Sequence, residues 1–348
     1  MPLSVTVVGD GASEFAARVE GVDASQPLDE AEARQLIGLL HRHKVICLAG
    51  QDPAAISAGQ LERLANHFGA PAPHPSRATR LPGCDAIQVL TNVEKQEHSQ
   101  EAAREAPIPG MHSAGRVGRQ LGQQLPAGDF HTDGDYETEI MSVTLLLCCA
   151  APASGGRTTF VDAVQAADAL AAPDRDFADA VSIVRQPKDL DTGGWAKAAK
   201  NTAPLLRPHP HVPGRRMLQV SHLETAWIDL QLSSSSPSVH MGGTESLQAR
   251  VLGVRDRALD WATQADSPAL YQHQYSVGDL VIWCNYSVLH RAPPQTVVGS
   301  VDDPGARHMW RISVKGAPAP VLPRADSREW IDAHVTEGYC TDVEQSRL

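Results

Sequence analysis

The apolar positions of this chain keep helical spacing near its start and give way to short strand-like runs through its middle and end. Ser4 to Val8 alternates apolar and polar residues and predicts a first strand. Leu28-Asp29-Glu30-Ala31-Glu32 predicts a helix start, with Asp29 as cap and Glu32 three residues on to reach back to it. Ala33, Leu36, Ile37 and Leu40 then share one helical face. Lys44 to Leu48 predicts a buried strand. Ser57 caps a second helix with the face Leu61, Leu64, Ala65 and Phe68, and Gly69 ends it. Pro71 to Pro75 predicts loop, and Ala86 to Leu90 a strand ending at Asn92. Ile140 to Cys149 is strongly apolar and predicts a central strand. Arg157 to Val161 predicts another after the turn Ser154-Gly155-Gly156, and Asp162 starts a helix through Leu170. The stretch from Pro187 to Ala203 is irregular. Two short strands around Pro213-Gly214 are expected between Leu205 and Gln219, then a loop at Ser233 to Ser238. Thr244 is the expected cap of a long helix with the face Leu247, Val251, Val254, Ala258 and Trp261. The runs Leu280 to Cys284, Ser287 to Arg291 and Arg307 to Val314 predict the final strands.

Parallel α/β folds alternate strand and helix more regularly than this. Two early helices followed by many short strands predict a mostly β fold with flanking helices, a β-sandwich or jelly roll. Residues 93–128 break the pattern: Glu94 to Glu105 is charged, and Pro107 to Gly128 is rich in Gly, Gln and Arg. A connection this long is functional or disordered, so either a lid or a flexible insertion is expected there.

Composition narrows the function. Hydrophobic content of 42% and charged content of 20% suit a globular enzyme. A net charge of −11 argues against nucleic acid or an anionic membrane as partner, since both require a basic face. No stretch approaches the ~18 apolar residues that span a bilayer. Met1 to Asp10 lacks the basic and apolar regions of a signal peptide. The six cysteines show no C-x-x-C spacing and sit mostly in apolar runs. They predict reduced, buried thiols and a cytoplasmic protein. A small-molecule partner is expected, with homo-oligomerisation left open.

The candidate chemistry centres on His131-Thr132-Asp133. On extended backbone, residues two apart point to one side, so an imidazole and a carboxylate can grip one metal ion from one face. Alone, the triplet is a weak signal that a surface turn also explains. His290 follows the run Gly278 to Asn285 and supplies a third ligand, the two histidines being expected at opposite ends of a large sheet core. Two histidines and one carboxylate on one face leave three open positions on an octahedral ion, the facial set of non-haem Fe(II) oxygenases.

Further motifs accompany this one in order. Gly21-Val22-Asp23, Val45-Ile46, Gly50-Gln51, Phe68-Gly69 and His74-Pro75 lie near the start. Ser154-Gly155-Gly156-Arg157-Thr158 follows His131-Thr132-Asp133. His209-Pro210 with Gly214-Arg215, the run from Gly278 to Arg291, and Arg307-His308-Met309-Trp310-Arg311 complete the series. In these motifs the chain resembles the Fe(II)/2-oxoglutarate-dependent superfamily of taurine dioxygenase and dichlorophenoxyacetate dioxygenase.

The resemblance implies a single dioxygenase domain over 1–348, folded as a double-stranded β-helix (a clavaminate synthase-like jelly roll). It implies Fe(II), 2-oxoglutarate as co-substrate and O2, with His131, Asp133 and His290 as catalytic metal ligands. Arg307 and Thr158 then take the far carboxylate of 2-oxoglutarate, through a guanidinium fork and a hydroxyl. Thr158 is expected across a hairpin from the ligands. Arg311, four residues on and on the same strand face, reaches the co-substrate or an acidic substrate. His74 and Asn92 are expected at the substrate. The sequence departs from the family at Phe130, where a tryptophan is frequent, and at Cys284-Asn285-Tyr286, where Asp-Asn-Arg is usual. The expected reaction is oxidation, by default hydroxylation, of a C–H bond in a small polar or acidic molecule such as a secondary-metabolite intermediate, releasing succinate and CO2. Desaturation or cyclisation on the same ligands, and a non-catalytic metal or small-acid binding module, are the alternatives.

Overall fold

The unbroken apolar run near residue 145 exists because its strand is covered on both faces. In the computed structural model the described residues are 3–8, 14–94, 121–125, 127–137, 139–187, 201–220, 225–232 and 246–316. They begin with strands β1 (Ser4–Val7) and β2 (Ala17–Glu20), helix α1 (Glu30–His43), strand β3 (Val45–Leu48) and helix α2 (Ala58–Asn66). Strands β4 (Ala70–Ala72), β5 (Arg80–Leu81), β6 (Cys84–Thr91), β7 (Gln124–Leu125), β8 (Val143–Ala150) and β9 (Thr158–Asp162) follow. Helices α3 (Ala163–Asp168) and α4 (Ala172–Ala180) lead to β10 (Val181–Pro187), β11 (Asn201–Pro204), β12 (Leu206–Pro208), β13 (Arg216–Leu218) and β14 (Thr225–Leu232). Helix α5 (Leu247–Ala262) precedes β15 (Leu270–His273), β16 (Leu280–Cys284), β17 (Val288–Arg291), β18 (Gln295–Thr296) and β19 (His308–Lys315).

A large sheet runs in the order β1-β2-β3-β16-β8-β19-β6-β5, with β4 also on β19. A smaller one, β15-β9-β17, faces it. Side chains alternate between the two faces, so each central strand feeds two cores. Leu146, Cys148, Val281, Trp283 and Met309 point inward and pack with Phe160 and Val288 of the small sheet. Leu145, Leu147, Cys149, Ile282 and Ile312 join the outer core with Leu36 and Leu40 of α1 and Leu61 and Phe68 of α2. Each fully buried leucine contributes roughly 1.5–3 kcal/mol. Cys148 and Cys149 thus belong to opposite faces.

The predicted caps form as expected. Asp29 and Glu32 make both bonds of a capping box, and Ser57 with Gln60 makes another. Ser246 caps α5 by accepting from the Ala249 N–H; Thr244 lies outside the described residues. The helix expected from Asp162 to Leu170 stops at Asp168, and α4 restarts with a proline in its first turn. Strands β2, β10, β14 and β15 were not expected. The short β2 and β15 offer too few residues for a strand period to be read, and β10 pairs with β11 and β14 to form a separate three-stranded sheet. Part of the expected loop at Pro71 becomes β4 by pairing with β19. Gly278 turns the chain into β16 at φ +87°, where a Cβ would lie 2.0 Å from the Gln51 carbonyl oxygen.

Residues 95–120 and 126, and with them most of the expected lid at 93–128, lie outside the described residues. Its described ends are anchored side by side. Glu94 N–H donates to Val298, and β7 pairs with β18.

Candidate active site

The two histidines are not at opposite ends of a sheet core. They face each other in an isolated antiparallel bridge, exchanging N–H···O bonds of 3.0 and 3.1 Å. His290 is placed by β17, which pairs with β9. Asp133 follows His131 by two residues. Its Oδ1 lies 3.7 Å from His131 Nε2 and 3.6 Å from His290 Nε2, and ligand atoms of all three lie within 4.8 Å of one another. His131 Nδ1 donates to the Asp129 carbonyl at 2.9 Å. That bond places the ring proton on Nδ1 and a lone pair on Nε2, the atom facing Asp133. Burial pushes the Asp133 carboxyl up, but Arg311 and the two imidazoles outweigh it and hold it well below the usual carboxylate range. The donor set therefore fits a divalent metal.

Among the described residues, Cys47, His273 and Asp279 form a second compact cluster. Its polar atoms satisfy one another: Tyr271 Oη bonds His273 Nδ1 at 2.7 Å, and Asp279 Oδ2 meets His273 Nε2 and the Ser276 N–H. Burial raises the Cys47 thiol pKa, so it stays protonated. This cluster needs no metal and opens on no described cavity.

A cavity of about 230 Å³ adjoins His131, Asp133 and His290. Thr158 and Arg307 line one part of it. Thr158 is not across a hairpin from the ligands; it lies on β9, whose next residues pair with Arg291 and His290. Tyr275 donates to Thr158 Oγ1 at 3.0 Å, and the Arg307 guanidinium carbon lies 5.4 Å from the Tyr275 ring centre. Arg307 is buried, its Nε finds no acceptor, and it makes no ion pair with a carboxylate among the described residues. Burial lowers its pKa. A buried guanidinium on a cavity wall, with no carboxylate partner among the described residues, can take the carboxylate of a bound acid. Tyr275 had no role in the sequence reading; only the position of the turn into β16 brings it here.

His74, Gln88, Tyr136 and Met141 line the other part, with Ala72 and Ala86. Arg311 bonds Asp133 Oδ1 at 2.6 Å and Gln88 Oε1 at 3.1 Å. Burial, then Arg311, lowers the His74 pKa to about 4. The neutral ring accepts the Ser76 N–H on Nδ1 at 3.2 Å, leaving its proton on Nε2. Asn92 does not line the cavity. Its side chain accepts the Arg307 N–H at 2.7 Å and donates to the carbonyls of Thr296 and Gly305 at 2.7 and 2.9 Å. It clamps the approach to β19 rather than reaching a substrate. The loop after Asp133 is held by residues the sequence did not single out. Asp135 pairs with buried Arg185 at 3.4 Å, and its carbonyl accepts from Asn201 and Gln219.

A jelly roll with a 2-His-1-carboxylate set beside a cationic cavity defines a non-haem oxygenase class of protein. The model of the taurine catabolism dioxygenase TauD, TfdA family matches residues 8–313, and the chain belongs to that family. It is 26% identical over 294 residues to the alpha-ketoglutarate-dependent 2,4-dichlorophenoxyacetate dioxygenase of Cupriavidus pinatubonensis, covering 80% of this chain and 88% of that protein. It is 25% identical over 323 residues to the alpha-ketoglutarate-dependent sulfate ester dioxygenase of Pseudomonas putida, covering 88% of each. A solved taurine dioxygenase from Burkholderia xenovorans shares the fold at a TM-score of 0.61, with 20% identity over 93% of this chain and 96% of the other. AAD-2, solved with Mn(II) and N-oxalylglycine, shares it at 0.58, with 20% identity over 91% and 99%. The expected family, jelly-roll fold and oxidoreductase class are borne out. No helix among the described residues is long and apolar enough to cross a membrane.

Proposed function

We propose that this protein is an Fe(II)- and 2-oxoglutarate-dependent dioxygenase that hydroxylates a C–H bond of a small organic acid. The observation that carries the reading is the convergence on one cavity of three metal-ligand side chains and a buried arginine with no carboxylate partner among the described residues. His131, Asp133 and His290 would hold the iron. Arg307 and Thr158 would take the far carboxylate of the co-substrate, with the Tyr275 hydroxyl fixing that of Thr158. When bound, Fe(II) and 2-oxoglutarate supply an oxidant from O2, with release of succinate and CO2 and delivery of one oxygen atom to the substrate.

The protein's part is to bind, orient and exclude water. His74, neutral at physiological pH, offers an N–H rather than a charge. Arg311 offers the cation, held at the cavity between Asp133 and Gln88. Met141 and Tyr136 wall the site. Two of the relatives are named for a carboxylate and a sulfate ester, which accords with an anionic substrate. Nothing favours a purely binding role, because every ligand and the buried arginine are present.

A panel of sulfonates, sulfate esters and aryloxy acids, scored by iron-dependent succinate release, tests the assignment. His131→Ala and Asp133→Ala are expected to abolish release, including the uncoupled background without substrate. Full turnover in either variant would overturn the reading.

A further inference from the structure

Thr144 is a polar residue in an otherwise apolar strand, and sheet register gives it an unusual set of neighbours. On adjacent strands it pairs with Trp283 of β16 on one side and Ser313 of β19 on the other. Directly opposed residues share a face, so indole, hydroxyl and hydroxyl form one row across the sheet beside Asp133. Asn285, at the end of β16, completes the set. Trp283, Thr144, Asn285 and Asp133 are all buried.

The hydrogen bonds within this set can run in one direction only. The indole Nε1–H is a donor with no acceptor capacity. It donates to Asn285 Oδ1 at 3.0 Å, which fixes the amide so that Nδ2 faces Thr144. Asn285 Nδ2 then donates to Thr144 Oγ1 at 2.9 Å. With that lone pair taken, the single Thr144 proton goes to Asp133 Oδ2 at 2.8 Å, an ionised oxygen that can only accept. Ser313 Oγ, 3.0 Å from Thr144 Oγ1, must give its own proton and fill the last lone pair. A donor-only indole at one end and an acceptor-only carboxylate at the other leave no second arrangement.

We infer that the chain Trp283–Asn285–Thr144 is a positioning device that holds Oδ2 of Asp133 and so turns Oδ1, which also accepts from Arg311 at 2.6 Å, toward a metal on the His131–His290 face. This rests on the reading of His131, Asp133 and His290 as a metal site. Asn285 and Thr144 are positioning residues, because neither lines the cavity beside the ligands. Without the Thr144 proton the carboxylate is held only through Oδ1, by Arg311, and Oδ2 is released to turn toward the ion. The ion would then lose affinity and change coordination number.

Co(II) binding to the whole protein tests this, read as a dissociation constant and as the intensity of the d–d absorption. Thr144→Val preserves shape and removes the proton. It is expected to weaken Co(II) on the order of 10- to 100-fold, the usual range for the groups that orient metal ligands, and to change the d–d intensity. Thr144→Ser restores the hydroxyl and is expected to bind as the wild type does. Asn285→Asp keeps the indole's acceptor but replaces the donor with a second acceptor, which draws the Thr144 proton away from Asp133. Its expected loss matches that of Thr144→Val although the hydroxyl is still there. If Thr144→Val binds with unchanged affinity and spectrum, the device does not exist. An equal loss in Thr144→Ser would equally overturn it, by making the effect one of packing. Should Thr144→Val fail to fold, the contrast between Thr144→Ser and Asn285→Asp decides. If wild type and His131→Ala bind Co(II) alike, the underlying metal-site reading fails instead, and the two failures are distinguishable.

Discussion

Replacing Arg307 should separate the fold's interest from the site's. The residue is 4% exposed, its Nε has no acceptor, and its nearest electrostatic companions are the Tyr275 ring and the Cys148 thiol. A carboxylate gripped by both arms of the fork makes two charge-assisted bonds, each contributing roughly 1.5–3 kcal/mol. Arg307→Met forfeits both, so the dissociation constant for 2-oxoglutarate should rise by about 100-fold or more. Arg307→Lys keeps the charge and loses the fork; one bond of the two should go, weakening binding about 10- to 100-fold. The ligand-free fold should respond in the opposite sense. Methionine removes a buried charge that no carboxylate compensates, so unfolding temperature should hold or rise by a few degrees, each ~1 kcal/mol being worth roughly 2–4 °C. The assay is calorimetric titration with 2-oxoglutarate under anaerobic conditions with Mn(II), alongside thermal unfolding with and without both ligands. Wild type should gain stability from the ligands and Arg307→Met should not. Binding by Arg307→Met within about threefold of wild type would refute the assignment. A large fall in ligand-free unfolding temperature would show that Arg307 is structural.

Three further outcomes follow from the same geometry. Asn92→Leu strands the Arg307 N–H and the carbonyls of Thr296 and Gly305, and should cost roughly 2–5 kcal/mol in urea unfolding while also weakening 2-oxoglutarate. Thermal stability should fall as pH drops below the ordinary histidine value of 6.5. His74 and His209 stay neutral in the fold until about 4 and about 3, chiefly through burial, so the unfolded chain gains protons first. Their contribution is whole above 6.5 and declines below it. His209→Asn should flatten the decline, and an unchanged slope would contradict its burial as a neutral ring. Arg311→Gln should lower turnover of acidic substrates, seen as a raised KM, while sparing uncharged analogues with the same carbon frame.

The parts of this design that were legible in the sequence are those written locally. His131 and Asp133 lie two apart, His290 follows an apolar run, and Arg311 lies four residues past Arg307; both arginines line the cavity, though Arg307 precedes β19 and a bulge at His308 breaks the even strand spacing expected between them. The central strands were legible because burial on both faces leaves them apolar at nearly every position, as in Val143–Ala150, where Thr144 is the exception. What escaped depends on register between distant segments. Tyr275 reaches Thr158 only because β15 pairs with β9. Thr144 reads as an ordinary strand residue until β16 and β19 bring Trp283 and Ser313 alongside it. Asn92 misled in the reverse direction. A polar residue near a site suggests a ligand contact, but a buried amide is as readily consumed by stranded backbone groups.

Charge balance sharpens what the site expects to receive. Of the charged groups lining the described cavity, Asp135 is neutralised by Arg185 and His74 is uncharged, which leaves the Asp133 carboxylate against the two guanidiniums of Arg307 and Arg311. A divalent ion adds two positive charges and the co-substrate dianion removes two. The loaded cavity therefore keeps the one positive charge it began with, spread over the metal, Asp133 and the Arg311 guanidinium that pairs with Asp133 at 2.6 Å. A neutral substrate would enclose this charge uncompensated, at a cost of several kcal/mol when water is excluded, and a cation would double it. A monoanion cancels it. The acid group would thus be held at Arg311, on the side where His74 adds an uncharged N–H, and the rest of the molecule would lie along Ala72, Ala86, Tyr136 and Met141. That wall is built from Ala72 at the end of β4, Ala86 in β6 and the loop residues Tyr136 and Met141, while His290 is fixed by β17, His131 by its bridge to His290, and Arg307 by Asn92 just before β19. Substrate choice can then change at the wall without disturbing the register that sets the metal site.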